Sequence, residues 1–500
     1  MTRMNYISKI VLSFFVASAL FLTSCEDALL VDPRQSIDAD GALGTPDAVD
    51  AALNSVYARL RATANYGRNM FAVSDALADV GQTTNNSGRL IGEFNNNPGA
   101  HHGNWANSYF AINEANLILD GIAGGVTGAT TAQLSRWEGE AKFLRALYYF
   151  DLIKIYAYMP TAIYQPGVVD EGGVPLVLEG VITSQAAFAR QSPRATIAQV
   201  YDQIYADLED AKRLLTSRGP QFASSGAASA LLSRVALYRG DWAKSRDEST
   251  LALNSGVGTV LGGDAYVAGW RTDIHPESMF EVRFAIAAES IGVNESLQSS
   301  FTTILNLGAS KNAQGGWGDF IPNPTVRGFF GLTQLQVDNV AGANNDNWDV
   351  TRNDDVRAFL YTTGNSIRGA GRQIECIKFA SKNGFAYGDN VPVIRKSEMH
   401  LNRAEANYQL GNVADALAEL NAFKGLRGVA TVDLAGEALL NEILLERFKE
   451  FAFEGQRFFD LKRYGRGPKA NIAFDDFRIL PPIPQREVDG NTNLNQNRGY

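Results

Sequence analysis

ERFKEFAFEGQRFFDLKRYG, from Glu446 to Gly465, is aromatic on two sides and crowded with charge. Read as a helix, it puts Phe448, Phe451 and Phe458 on one stripe, widened by Phe453 and Phe459, while Gly455 leaves room for close packing. Glu446, Glu450, Glu454, Arg457, Asp460 and Arg463 recur at three- and four-residue steps, which predicts a buried ladder of ion pairs within this segment.

Outward from this stretch the chain reads as helices. Arg136–Tyr158 carries Trp137, Ala141, Leu144, Tyr148, Leu152 and Ile155 on one face and Phe143, Leu147, Phe150 and Ile153 on another, so it has to be sandwiched between other helices. Trp105–Leu119 is also helical. Thr45-Pro46 predicts an N-cap with proline at the first helical position, followed by the stripe Val49, Leu53, Val56, Leu60. Ser192-Pro193 predicts a second such start.

Leu237–Ser245 (LYRGDWAKS) can be laid on Tyr408–Ala416 (YQLGNVADA). In both, a helix ends at glycine and a second opens with small residues, the pattern of tetratricopeptide (TPR) hairpins. Between the two lies an irregular insertion, about 256–391, with short β-like runs such as Met279–Phe284. The polar, Gly/Asn-rich run Tyr66–Asn104 reads as an exposed loop region. The predicted fold class is all-α: a TPR-like superhelix with helical pairs at about 136–255 and 392–465 and one long loop and short-strand insertion.

The 500-residue chain is 45% hydrophobic and 20% charged with a net charge of −9. Without a Lys/Arg run, that balance argues against a nucleic-acid partner. Arg3 and Lys9 precede the apolar run Ile10–Leu22, too short for a comfortable membrane span. The run ends in Leu22-Thr23-Ser24-Cys25, which looks like a lipobox; an ordinary secretory signal is the plainer alternative. Residues 1–24 are then a lipoprotein signal peptide, Cys25 the lipidation site, and 25–500 a single domain held at the membrane by its lipid anchor alone. Cys376, in the apolar run Ile374–Phe379, reads as a buried core thiol.

Catalytic signatures are missing. The chain has no GxSxG elbow, HExxH pair, Walker A loop or CxxC pair. Gly465–Ala470 fits GxGxxA only on paper and reads as a helix-ending turn. His101 and His102 read as solvent-exposed loop residues rather than metal ligands. The oxygen-rich stretch Asn344–Asp349 lacks the ligand spacing of a calcium loop. Glu446, Glu450 and Glu454 are the only tempting glycosidase set, and their arginine neighbours favour ion pairing over an activated acid. No enzyme activity, cofactor or metal is expected.

Six blocks closely resemble the SusD/RagB family of surface lipoproteins: Glu446–Gly465, Gly139–Pro160, Ser192–Lys212, Ala228–Ser245, Arg395–Asn412 and the tail Phe477–Tyr500. The resemblance implies a cell-surface, outer-membrane protein that captures a glycan and delivers it to a SusC-like TonB-dependent barrel. It also implies ligand contacts from two variable regions. One follows the first helix and includes Arg68 and Asn69; the other is Gly315-Gly316-Trp317-Gly318-Asp319. An indole among glycines suits stacking on a sugar face, with Arg, Asn and Asp bonding its hydroxyls. A loop anchor folded back onto the protein is the alternative for Trp317. Phe94 is the only aromatic in Gln82–His102, so an aromatic arc of the starch-binding kind is not evident, and a polar or charged glycan gains ground. Uptake of peptides or another oligomeric nutrient is the alternative function; a surface glycoside hydrolase is disfavoured. Sequence leaves the sugar and its linkage open.

Overall fold

Helix α1, Pro46–Arg59, begins as its sequence requires: Thr45 Oγ1 accepts from the Ala48 N–H, and Pro46 occupies the first turn. Val49, Leu53, Val56 and Leu60 are buried on its inner face. The computed structural model describes residues 43–309, 313–336, 348–365 and 371–500. Cys25, the apolar leader and residues 344–347 of the oxygen-rich stretch lie outside them.

The Tyr66–Asn104 region departs from the exposed loop its composition suggests. After a π-helical turn at Thr63–Gly67, helix α2, Asn69–Leu77, is buried from Met70 to Leu77. A short helix buried all round shows no apolar stripe, which is why periodicity misses it. His102 is buried beneath it and paired with Ser74 Oγ at 2.9 Å, and His101 packs 5.5 Å from the Phe458 ring. Burial, with His101, Lys154 and Lys462 nearby, holds His102 well below the usual imidazole range. The two histidines are thus packing residues, not solvent-exposed ones.

Helices α3, Trp105–Gly124, and α4, Thr131–Tyr156, pack together, and α4 is covered on its other side by α5, Ile197–Leu214. This is the sandwich that its two apolar faces demand; almost every residue from Gly139 to Tyr156 is buried. Helix α5 starts four residues later than Ser192-Pro193 predicts. Thr196 and Gln199 form a reciprocal capping box that satisfies two orphan N–H groups; after Ser192 the corresponding third position is Ala195, which has no side chain to reach back.

The first TPR-like hairpin is α6, Ser225–Arg239, and α7, Trp242–Asn254, turned at Gly240 with φ 82°. The second is α8, Lys396–Gln409, and α9, Val413–Leu426, turned at Gly411 with φ 81°. Only glycine adopts this left-handed backbone freely. Helix α7 packs on α8, so the two hairpins stack although the insertion separates them in sequence. Small residues permit the approach: Ser233 Oγ lies 2.7 Å from Ser249 Oγ and accepts from Asn402 Nδ2. Trp105, Trp137 and Trp270 are core residues; Trp242, at the repeat turn, is only half-buried.

Glu446–Gly465 is not one helix. Helix α10, Gly436–Phe451, stops, the chain bends through Phe453 (φ 66°) and Gly455 (φ 71°), and α11 runs Arg457–Arg463. A Cβ at Gly455 would lie 2.4 Å from the Met70 carbonyl oxygen, so α2 crosses the break at the glycine. The bend drives Phe453 into the core, 5.0 Å from Phe301 and 6.0 Å from both Phe320 and Tyr361. The ion-pair ladder exists, but its buried cations come mostly from elsewhere. Glu446 pairs with Arg357 (2.8 Å), Glu450 with Arg427 (2.8 Å) and Arg395 (2.9 Å), and Glu454 with Lys378 (2.6 Å) and Arg395 (2.8 Å). Arg457 instead reaches Asp79 near the surface.

Four antiparallel strand pairs occur in the described residues. Strand β1 is Gly81–Thr83, β2 Ser278–Val282, β3 Phe320–Pro322, β4 Thr333–Gln336, β5 Trp348–Thr351, β6 Tyr361–Thr363, β7 Ile374–Cys376 and β8 Val391–Arg395; they pair β1 with β3, β2 with β8, β4 with β5 and β6 with β7. The β2–β8 pair ties the two ends of the insertion together directly before α8. Burial pushes the Cys376 thiol up to about 12, as befits a core residue. No described helix is long and apolar enough to cross a membrane.

Candidate functional site

Strand β1 follows the first variable region and β3 the Trp317 loop, and their register, Gly81 opposite Pro322 and Thr83 opposite Phe320, brings the two regions together. The junction continues beyond the strands. Thr84 N donates to the Asp319 carbonyl (3.0 Å), Thr84 Oγ1 to the Gly318 carbonyl (2.7 Å) and Asn86 Nδ2 to the Trp317 carbonyl (2.7 Å).

The glycines before Trp317 are a steric requirement. A Cβ at Gly315 would fall 2.4 Å from the Thr303 carbonyl oxygen, and one at Gly316 would fall 2.2 Å from that of Thr302. The backbone therefore lies flat on the segment 299–303 and presents the next side chain at the surface. Trp317 is half-buried. Its Nε1 donates to Asn294 Oδ1 at 3.1 Å, and the Arg89 guanidinium stands 5.5 Å from its ring centroid. The indole is thus anchored at its edge and still partly open.

Asp319 is buried and accepts from Ser87 Oγ (2.5 Å) and Arg89 Nε (3.2 Å). Burial raises its carboxyl, and Ser87 and Arg89 offset only part of that. Its place is beneath Arg89, which it holds against the indole. Arg89 Nη1 donates to the Asn294 side chain (3.2 Å) and Arg68 Nη1 to the Asn294 carbonyl (3.1 Å). Arg68 also pairs with Glu295 (3.3 Å) and donates to Asn69 Oδ1 (2.9 Å). Trp317, Asp319, Arg68 and Asn69 therefore share one cluster.

Phe94 is placed differently. It ends a one-turn helix, packs on the core and lies 4.6 Å below Lys469 Nζ, which also donates to its carbonyl and to that of Ala76 in α2. Asn294 and Arg89, which join the two regions, escaped sequence reasoning. The only signal was Gly88-Arg89 in the loop after β1, and nothing local marks Asn294.

Glu375, on β7, props the floor. It accepts from Thr302 Oγ1 (2.8 Å), Thr303 N (2.7 Å) and Thr303 Oγ1 (2.7 Å), and a Cβ at Gly318 would lie 3.0 Å from its Oε1. Burial pushes its carboxyl up to about 7 against the pull of these donors. A folded-state value above the unfolded one, ~4.3 for glutamate, means the folded protein holds the proton longer. The stabilising contribution is complete below ~4.3 and disappears as pH rises through about 7. Thermal melts of wild type and Glu375→Gln at pH 5 and pH 8 should show wild type losing ground to the variant at the higher pH. A pH-independent difference would refute this.

The Glu446, Glu450 and Glu454 set is not a catalytic pair. All three are buried among cations. Burial alone would raise Glu450, yet Arg427 and Arg395 hold it well below the usual range. Among the described residues no three His, Cys, Asp or Glu side chains gather as metal ligands.

A family profile described as starch-binding and associating with the outer membrane matches residues 32–237, and the SusD family profile matches residues 336–478. SusD-like protein P2 of Formosa agariphila is 23% identical, over 97% of this chain and 99% of its own. The starch-binding protein SusD of Bacteroides thetaiotaomicron is 28% identical over 124 residues, 22% of each chain. A SusD superfamily structure from B. thetaiotaomicron superposes with a TM-score of 0.74 at 26% identity, covering 91% of this chain and 99% of that one. A laminarin-binding SusD-like protein superposes with a TM-score of 0.67 at 24% identity, covering 91% and 100%.

Proposed function

Because this chain belongs to the SusD/RagB family and has its helical TPR-like fold, we propose that it is a non-enzymatic, lipid-anchored glycan receptor of the outer-membrane surface. It holds an oligo- or polysaccharide against Trp317 and passes it to a SusC-like TonB-dependent barrel. The observation that carries this reading is the half-open indole, fixed by Asn294 at the junction of two loops. A sugar ring lays its apolar face on the indole, and Arg89 and Arg68 stand beside it as donors for hydroxyl oxygens. Asp319 and Asn69 act through those arginines, fixing their direction. No bond is made or broken in the ligand, and no cofactor is required. Starch and laminarin, named for two relatives, support a glycan as the ligand class.

Anchoring is assigned to Cys25. Two or more acyl chains on one residue hold a protein stably where one chain is reversible. Cells carrying the wild-type protein should bind labelled polysaccharide at their surface. Cys25→Ser should move the protein to the soluble fraction and remove that surface binding. Unchanged membrane retention of Cys25→Ser would refute the anchor.

A further inference from the structure

Beside the Trp317 cluster lies an open basin of about 870 Å³, walled by Leu305–Gly308, Ala380–Lys382 and Gly384–Ala386, with Arg271 at its edge. Its apolar surface comes from Leu305, Leu307 and Phe385, and among the described residues that line it none is Asp or Glu. Arg271 donates through Nη1 to the Ile377 carbonyl at 2.8 Å and makes no ion pair among the described residues. Burial pushes its guanidinium down to about 10. Lys382 also lines the basin, but its Nζ turns inward to the buried Trp270 and Phe379 rings, 5.7 and 5.8 Å from their centroids, and leaves Arg271 as the cation of the wall. Asp389 accepts from the N–H groups of Ser381 and Lys382 but does not line the basin.

The contrast with the platform carries the argument. Arg89 and Arg68 have Asp319 and Glu295 as counterions, an arrangement suited to neutral hydroxyls. A partly buried guanidinium without a counterion has lost hydration and gained no partner, so an entering anion is favoured there. Its planar fork fits a carboxylate or sulfate through two parallel hydrogen bonds.

The two places are connected by the segment Ser290–Glu295. Ser290 Oγ donates to the Ala386 carbonyl and Ile291 N to the Tyr387 carbonyl at the basin wall, while Asn294 holds the indole. Three residues of extended chain span at most ~10 Å, which bounds the distance from this rim of the basin to the Asn294 that holds the indole.

We propose that the Arg271 basin is a subsite for an anionic substituent, a carboxylate or sulfate ester, on the glycan that stacks on Trp317. This rests on the glycan reading and narrows it to acidic polysaccharides.

Retention in native gels containing alginate (carboxylate), κ-carrageenan (sulfate ester) or neutral laminarin tests it. Wild type should be retained more strongly by an anionic polymer than by laminarin, with retention falling at high salt. Arg271→Gln should lower that retention about tenfold at unchanged melting temperature, and Arg271→Lys, which keeps the charge, should lose less. The anionic polymer that responds identifies the substituent. Retention by laminarin alone, lost in Trp317→Ala and unchanged in Arg271→Gln, would overturn the anionic subsite and leave the glycan reading standing. Retention by none of the three, or retention indifferent to Trp317→Ala, would count against both.

Discussion

Glu450→Ala is expected to lower the unfolding free energy by about 3–5 kcal/mol, a large share of the ~5–15 kcal/mol by which a native protein is stable. Glu450 is fully buried and accepts from Arg395 Nη1 (2.9 Å), Arg427 Nε (2.8 Å) and Arg427 Nη2 (2.9 Å), with Arg357 Nη1 at 3.6 Å. Removing the carboxylate leaves three guanidinium groups in a dry interior with less negative charge than they were built around. Glu277, which reaches Arg395 at 2.7 Å and Arg427 at 3.4 Å, shares part of this role and keeps the loss finite.

The Arg457–Asp79 pair is the internal contrast. Asp79 is 40% exposed, so the pair itself is worth roughly 0–1 kcal/mol, with the packing of Arg457 over the Phe448 ring added. Urea unfolding followed by circular dichroism separates the two cases. A loss below ~1 kcal/mol in Glu450→Ala would contradict the buried-network account. The pH dependence has a definite sign. Because the arginines hold the Glu450 carboxyl below its unfolded value, its stabilising contribution is present above ~4.3 and lost as pH falls through the folded value.

The same segment shows how far sequence carries. Its charges and aromatics correctly mark a buried ion network at the centre of a helical fold. Local spacing reveals only partners within a turn or so, whereas Arg357, Arg395, Arg427 and Lys378 arrive from distant parts of the chain. The bend at Phe453 was hidden because its cause, α2 crossing Gly455, is itself non-local. Repeat hairpins were legible because a left-handed glycine ends each first helix, a purely local demand.

For the candidate site, Trp317 and Asp319 stood out by their glycine setting and Arg68 and Asn69 by position. The three-residue strands that bring these regions together are too short for any periodic signal. Asn294 and Arg89, which complete the cluster, are ordinary polar loop residues until that pairing exists.

Trp317→Ala has the largest expected effect on binding. It removes the one partly open aromatic surface of the cluster, releases the Asn294 amide that fixed its edge, and deprives Arg89 of the ring it lies against. Aromatic anchors of this kind contribute about 1–3 kcal/mol, or up to roughly a hundredfold in affinity. Arg68→Ala should cost less, because it removes a flanking donor and leaves the stacking surface in place. Neither change touches the helical core, so the circular dichroism of both variants should match wild type.

The most direct measurement is affinity electrophoresis of wild type and Trp317→Ala in gels containing a polysaccharide that retains the wild-type protein. The account predicts that Trp317→Ala migrates as though no polysaccharide were present while its helical spectrum is unchanged. A folded Trp317→Ala protein retained as strongly as wild type would show that the ligand is held elsewhere and would contradict the account.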